Sequence, residues 1–317
     1  MRKKLGVVGC CIVVLLVGAV IVRWDWIQAK FAVYQFAQAE TDDARQQCLS
    51  TLLNSGDGAK ELLPMLQSGT PEQCHAIATA LADRLAESGE NDPIRPLTLA
   101  YLQAHSDSFS TASKEACLVL VPALMKASHS GAMECGRELV KYNLGGDAAS
   151  KTRAVRLAAL PGMGLQIAVV PLLDDADAGV RQAAMTVVGP SKLLGPEELF
   201  RHLNDADETV KMLCEASLGA QGLEAKQIDA GRKLTSQHAG DRLALVFDLH
   251  RERNDSGDVG PWLERLSRDA DPAVRAAVAR VGYECRLQFA PWLDALADDA
   301  DATVARIARY HRQAKVR

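Results

Sequence analysis

The sequence lacks the local patterns that announce common catalytic chemistry. It contains no G-x-x-x-x-G-K-[ST], G-x-G-x-x-G, G-x-S-x-G or H-E-x-x-H. The phosphate cradles, nucleophile elbow and paired zinc ligands that those patterns build are therefore not signalled. Its seven histidines never stand at i,i+4. Eight cysteines, at 10, 11, 48, 74, 117, 135, 214 and 285, include no CxxC, and none joins a histidine at zinc spacing. Aromatic residues make up only 5%, which favours close-packed helices over a β architecture. No long Pro/Gly/Ser tract divides residues 41–317. Positive charge is also scarce. The chain carries 36 Lys and Arg against 40 Asp and Glu. Setting aside Arg2, Lys3 and Lys4 leaves 33 against 40, a balance of −7. Binding to nucleic acid needs a basic field, so no nucleic-acid partner is expected, nor any cofactor or metal.

What the chain does have is a repeat. The stretch LLDDADAGVRQAA from Leu172 recurs from Leu203, Leu266 and Leu296. Asp147, Asp177, Asp207, Asp241, Asp271 and Asp301 are separated by 30, 30, 34, 30 and 30 residues, a period characteristic of stacked helical repeats. Apolar residues follow the Asp at +3, +6 and +7, as in Val180, Ala183 and Ala184, or Val274, Ala277 and Val278. That spacing makes one buried stripe on a helix. Each of the six Asp is placed as an N-cap, its carboxylate accepting from a first-turn N–H and suiting the helix dipole. Pro272 sits at the first helical position, where its missing N–H costs nothing. A single helix–loop–helix pair cannot bury its stripe alone, so the pairs are expected to stack.

The pattern Leu172, Leu173, Asp175, Asp177, Val180 and Arg181 resembles the HEAT-like repeat of the phycobilisome-lyase type. Leu266, Asp269, Val274 and Arg275 match it as well, whereas Lys211 and Ala305 depart from its arginine. The resemblance covers roughly residues 165–317. It implies an all-α fold, an α-solenoid of stacked antiparallel helix pairs (armadillo-type), and a scaffold that binds another protein rather than an enzyme. A lyase-type activity is the enzymatic alternative. The basic position four residues after the cap is occupied by Arg181, Lys211 and Arg275, with Arg306 one residue later in the last copy. Stacking would align these into a ridge. It is expected either to hold an acidic partner or to pair with the loop residues Asp175, Asp205 and Asp269 of its own or the next repeat.

At the N-terminus, Arg2, Lys3 and Lys4 precede an uncharged run of eighteen residues, 5–22. At 1.5 Å per residue this reaches about 27 Å, near the thickness of a bilayer core. Trp24 and Trp26 follow, suited to a membrane interface. The expectation is one transmembrane signal anchor, with residues 1–4 cytoplasmic and the repeats extracytoplasmic, periplasmic in a bacterium. The alternative is a signal peptide cleaved after Ala19 to release a secreted repeat module. The expected organisation is thus 1–22 anchor, 23–56 juxtamembrane helical segment, and 57–317 repeats, most regular from 147. Within it, Thr70, Pro71 and Gln73 read as a capping box, Pro96 and Pro122 as kinks, and Gly162-Met163-Gly164 as a turn between helices. The six cysteines outside 5–22 read mostly as packing residues. Disulfides among them stay open for an oxidising compartment.

Overall fold

Where the sequence offers a short acceptor followed by a 3.6-residue apolar period, a helix begins. In a computed structural model, Thr41 accepts from the Ala44 N–H at 3.4 Å. The expected box is reciprocal: the Gln73 N–H donates to Thr70 Oγ1 at 3.3 Å, and the Thr70 N–H to Gln73 Oε1 at 3.0 Å. The structure describes residues 24–314 apart from 55, 88, 90–91, 127–129, 252–258 and 286–290. Among the described residues every regular element is helical, and no helix is long and apolar enough to cross a membrane. The expected anchor at 5–22 lies outside the described residues.

The chain divides into two compact units, 1–187 and 188–317. The first holds α1 (Trp24–Gln38), α2 (Asp42–Leu53), α3 (Gly56–Leu62), α4 (Met65–Ser68), α5 (Pro71–Glu87), α6 (Ile94–His105), α7 (Thr111–Ala116), α8 (Val121–Met125), α9 (Ser130–Asn143), α10 (Ala148–Ala158) and α11 (Gln166–Val169). It ends in α12 (Ala178–Val188), whose last residue opens the second unit. Here α1 packs on α2 and α3, α5 packs on α2, α7 and the 3-10 turn Cys117–Leu120, and α9 packs on α6, α8 and α10. Leu62, Leu66, Ile77, Leu81, Leu102 and Leu118 are among the fully buried side chains.

Prolines punctuate this unit as expected in one place and not in another. Pro96 is the third residue of α6, in the first turn, where no intrahelical partner for its nitrogen exists, so no kink is required. Pro122 stands where the 3-10 turn Cys117–Leu120 gives way to α8, and there the helix does change form. The turn after α10 relies on Gly162 and Gly164, at φ +81° and +66°, a region that L side chains rarely adopt. Arg137 then donates to the Met163 and Gly162 carbonyls at 3.0 and 2.8 Å.

The second unit contains α13 (Pro196–Leu199), α14 (Glu208–Ala220), α15 (Ala225–Leu234), α16 (Ala239–Arg251), α17 (Gly260–Leu266), α18 (Pro272–Glu284), α19 (Pro291–Ala295) and α20 (Ala302–Ala314). Helices α16, α18 and α20 pack side by side in series, and α17 and α19 lean on α18. The 3-10 turn Phe200–Asn204 packs on α14 and α15. The +3 and +7 residues form the core: Val210, Cys214, Leu245, Val274, Val278, Val304 and Ala308 are all buried. The +6 residues Ala183, Ala277 and Ile307 are only half-buried, because at 100° per residue they fall on the stripe's edge. Gly231 admits the Phe200 ring: a Cβ there would stand 2.4 Å from Phe200 Cδ1.

Candidate functional site

Four of the loops between helices, those of Asp177, Asp207, Asp271 and Asp301, are built the same way. The carboxylate two residues before the cap accepts the cap residue's own N–H, at 3.0 Å for Asp175, and at 2.8 Å for Asp205, Asp269 and Asp299. The cap carboxylate then reaches into the first turn. Asp147 accepts from Ser150 at 2.8 Å, Asp177 from Val180 at 3.0 Å, Asp207 from Val210 at 3.0 Å and Asp271 from Ala273 at 2.7 Å. Asp301 accepts from both Thr303 and Val304, at 2.8 and 3.1 Å. The short acceptors thus occupy first-turn donors that the helix leaves unpaired.

Asp241 departs from the expected register. It lies inside the first turn of α16 rather than before it. Ser236 and His238 hold the loop and cap positions: the His238 N–H donates to Ser236 Oγ at 3.1 Å, and Ser236 Oγ donates to Asp241 at 2.6 Å. The loops therefore step by 30, 30, 31, 33 and 30 residues through 147, 177, 207, 238, 271 and 301. Asp241 stands where the other copies carry a buried valine or Ser150. In this register Arg242 falls on the basic position.

That position is a clip between loops. Arg275 donates from Nη1 to the Asp269 and Ala270 carbonyls of its own loop at 2.8 and 3.2 Å. Its Nε and Nη2 form a fork on Asp299 of the following loop at 2.8 and 2.9 Å. Arg242 repeats this, holding the Ser236 carbonyl at 2.7 Å and Asp269 at 2.6 and 3.0 Å. Lys151 reaches Asp175 at 2.7 Å. Arg181 donates to the Asp175 and Ala176 carbonyls of its own loop at 2.9 and 3.1 Å. The Arg242 and Arg275 pairs are largely buried. Their guanidinium and ammonium partners hold Asp299 and Asp175 below the ordinary carboxylate range. Lys211 instead pairs with Glu208 of its own helix at 2.7 Å, because the following loop offers Ser236 and no carboxylate. Arg306 is exposed on α20. The four expected ridge residues thus divide: Arg275 is locked in an inter-loop pair, Arg181 clamps its own loop, Lys211 pairs locally, and Arg306 faces solvent.

Large apolar side chains stand on the outward side of the same helices, which the basic ridge expectation missed. Met212, Phe247 and Tyr310 are 56%, 50% and 68% exposed. Counted from residues 207, 238 and 301, they occupy +5, +9 and +9, opposite the buried +3 and +7 stripe. An apolar residue off the buried period was the available signal. Tyr310 meets His311 edge-on at 5.3 Å, and His311 stacks on Tyr283 at 6.3 Å. An open groove of about 510 Å³ on α20 is lined by Arg306, Arg309, Tyr310 and Gln313. Nearby, Glu284 accepts from Arg280 at 3.0 Å and pairs with His250 at 2.9 Å. The Arg280 hydrogen bond draws Glu284 down in pKa against the upward push of burial.

The first unit offers a second groove, of about 740 Å³, between α2 and α5, bordered by Arg45, His75, Asp83 and Arg84. His75 is exposed there. Among the described residues no group of three or more His, Cys, Asp or Glu is placed to hold a metal ion. The Cys117, Cys135 and Cys214 thiols are pushed up to about 12, 11 and 12, mainly by burial. They are therefore thiols rather than nucleophilic thiolates at neutral pH. None of the six described cysteines, Cys48, Cys74 and Cys285 included, is in a disulfide. No protein-family model matches the chain, and no curated protein matches it.

Proposed function

We propose that this protein is a non-enzymatic, membrane-anchored scaffold. Its helix pairs form an α-solenoid of HEAT-like repeats, and the outward face of the second helices captures another protein. The observation that carries this reading is the trio Met212, Phe247 and Tyr310. They are large apolar side chains held out in solvent at outward positions, and the loops that lead into the helices of Phe247 and Tyr310 are clipped in series through Arg242 and Arg275. A rigid array loses little entropy on binding, and apolar anchors of this size dominate interface energetics. The anchor reading is supported by the uncharged length of 5–22 and the basic residues before it.

The test is affinity capture of full-length protein in detergent, read by mass spectrometry, beside Phe247→Ser and Tyr310→Ser variants. These side chains are exposed, so the variants are expected to melt within about 0.5 kcal/mol of the parent. Loss of a reproducibly captured protein in either variant is the expected result. Equal capture by parent and both variants would remove this face as the binding surface.

A further inference from the structure

Helix α1 is apolar on two opposite sides. Ala29, Ala32 and Phe36 are buried where the helix packs on α2 and α3. On the other side Trp24, Ile27, Phe31 and Tyr34 follow one another at three, four and three residues, the spacing of one helical stripe. They are 52%, 40%, 60% and 63% exposed. Gln28, Gln35 and Gln38, also exposed, lie among and beside them, and Lys30 flanks the stripe with its ammonium paired to Glu61. The helix cannot roll to hide this stripe. Trp26 donates its indole N–H to Glu61 at 3.2 Å, and Lys30 pairs with the same carboxylate. These contacts fix the buried side against α3.

We propose that the stripe Trp24, Ile27, Phe31 and Tyr34 lies in the head-group layer of a lipid bilayer, so that α1 runs along the membrane surface and seats the first unit on it. This rests on reading 5–22 as the anchor. That uncharged run ends two residues before Trp24, so α1 starts at the bilayer surface wherever the run is embedded. A surface tethered this closely is present at an effective concentration that a diffusing protein cannot match. The stripe is about 15 Å long, ten residues at 1.5 Å each. Trp and Tyr bring apolar bodies with a polar tip, which suits the boundary between acyl chains and head groups. The neutral glutamines beside them avoid the cost of carrying charge into that layer. Trp26, at the flank of this side and 42% exposed, is held by Glu61.

The experiment places photoreactive benzoylphenylalanine at position 31 or 34 of the full chain, with Thr51, exposed on α2, as the control position. The chain is reconstituted into phosphatidylcholine–phosphatidylglycerol vesicles, irradiated, and read by intact mass. Phospholipid adducts at 31 and 34, at least fivefold above position 51, are the expected result. Alkaline carbonate extraction of the same vesicles reports the anchor separately. A chain retained through extraction but cross-linked at 31 and 34 only to protein, to a second copy or to nothing overturns the surface seat and leaves the anchor standing. A chain washed off by carbonate overturns the anchor reading, and the inference falls with it.

Discussion

Arg275 does at once what a solvated surface arginine does not: it closes its own loop through two carbonyls and grips Asp299 of the next loop with a two-pronged fork. Arginine suits this because its planar donors match a carboxylate pairwise. Lys211, at the same repeat position, has no carboxylate ahead of it and pairs with Glu208, which is largely exposed. Breaking a fully buried pair costs about 3–5 kcal/mol and an exposed one about 0–1. Arg275→Ala is therefore expected to lower the unfolding free energy by about 2–3 kcal/mol, and Lys211→Ala by less than about 1. Urea denaturation of the two variants side by side checks this. Equal losses would mean that the fork contributes no more than an ordinary surface contact.

At the scale of the element, the loops before Asp177, Asp207, Asp271 and Asp301 are decided by two short acceptors, one turning the chain and one capping the helix. Asp301 satisfies two first-turn donors of α20, and Asp301→Ala is expected to cost about 1 kcal/mol. Asp241 caps nothing and is exposed. Asp241→Ala is expected to cost less than about 0.5 kcal/mol, the scale of a surface substitution. Circular dichroism during chemical denaturation distinguishes the two, and a larger loss at Asp241 would mean that its bond to Ser236 Oγ stabilises the fourth loop as much as a cap does. The caps Asp147, Asp177, Asp207, Asp271 and Asp301 were legible in the sequence, since capping depends on residues two or three apart. The fourth loop was not. Ser236 and His238 do not spell an Asp-Ala-Asp motif, and a nearby aspartate imitated the period. Only the path of the backbone separates a carboxylate before the helix from one inside its first turn.

At the scale of the whole molecule, carboxylates held below their ordinary range make stability depend on acid. Lys151 lowers Asp175, Arg275 lowers Asp299, and Arg280 lowers Glu284. Their unfolded values are about 3.9 for Asp and 4.3 for Glu. Because the folded values lie lower, the unfolded chain binds more protons as the medium acidifies. The stabilisation is present in full above the unfolded values and is lost as pH falls through the folded ones. The melting temperature is thus expected to stay level from about pH 7 to 5 and to drop below about pH 4. Asp299→Asn should melt earlier at neutral pH and show a shallower acid decline. An unchanged slope would show that this carboxylate does not contribute to it.

The sequence alone determined the helical class, the spacing of the buried stripe and most of the caps. These follow from local chemistry: a helix presents its third and seventh positions to one side, and a short acceptor satisfies N–H groups that cannot bond within the helix. It also put a basic residue at the fifth place of several repeats, Arg181, Lys211 and Arg275, though the last copy has Ala305 there. What that residue does was decided only by tertiary structure. Arg275 and Arg242 are clipped because the following loop, some 24–27 residues away, brings a carboxylate to each, whereas Lys211 pairs with Glu208 of its own helix. The same holds for the apolar residues off the stripe. In sequence, Phe31, Tyr34, Met212, Phe247 and Tyr310 are ordinary hydrophobes. They become exposed surface because the opposite side of each helix already fills the core, and a helix has only one side to bury there.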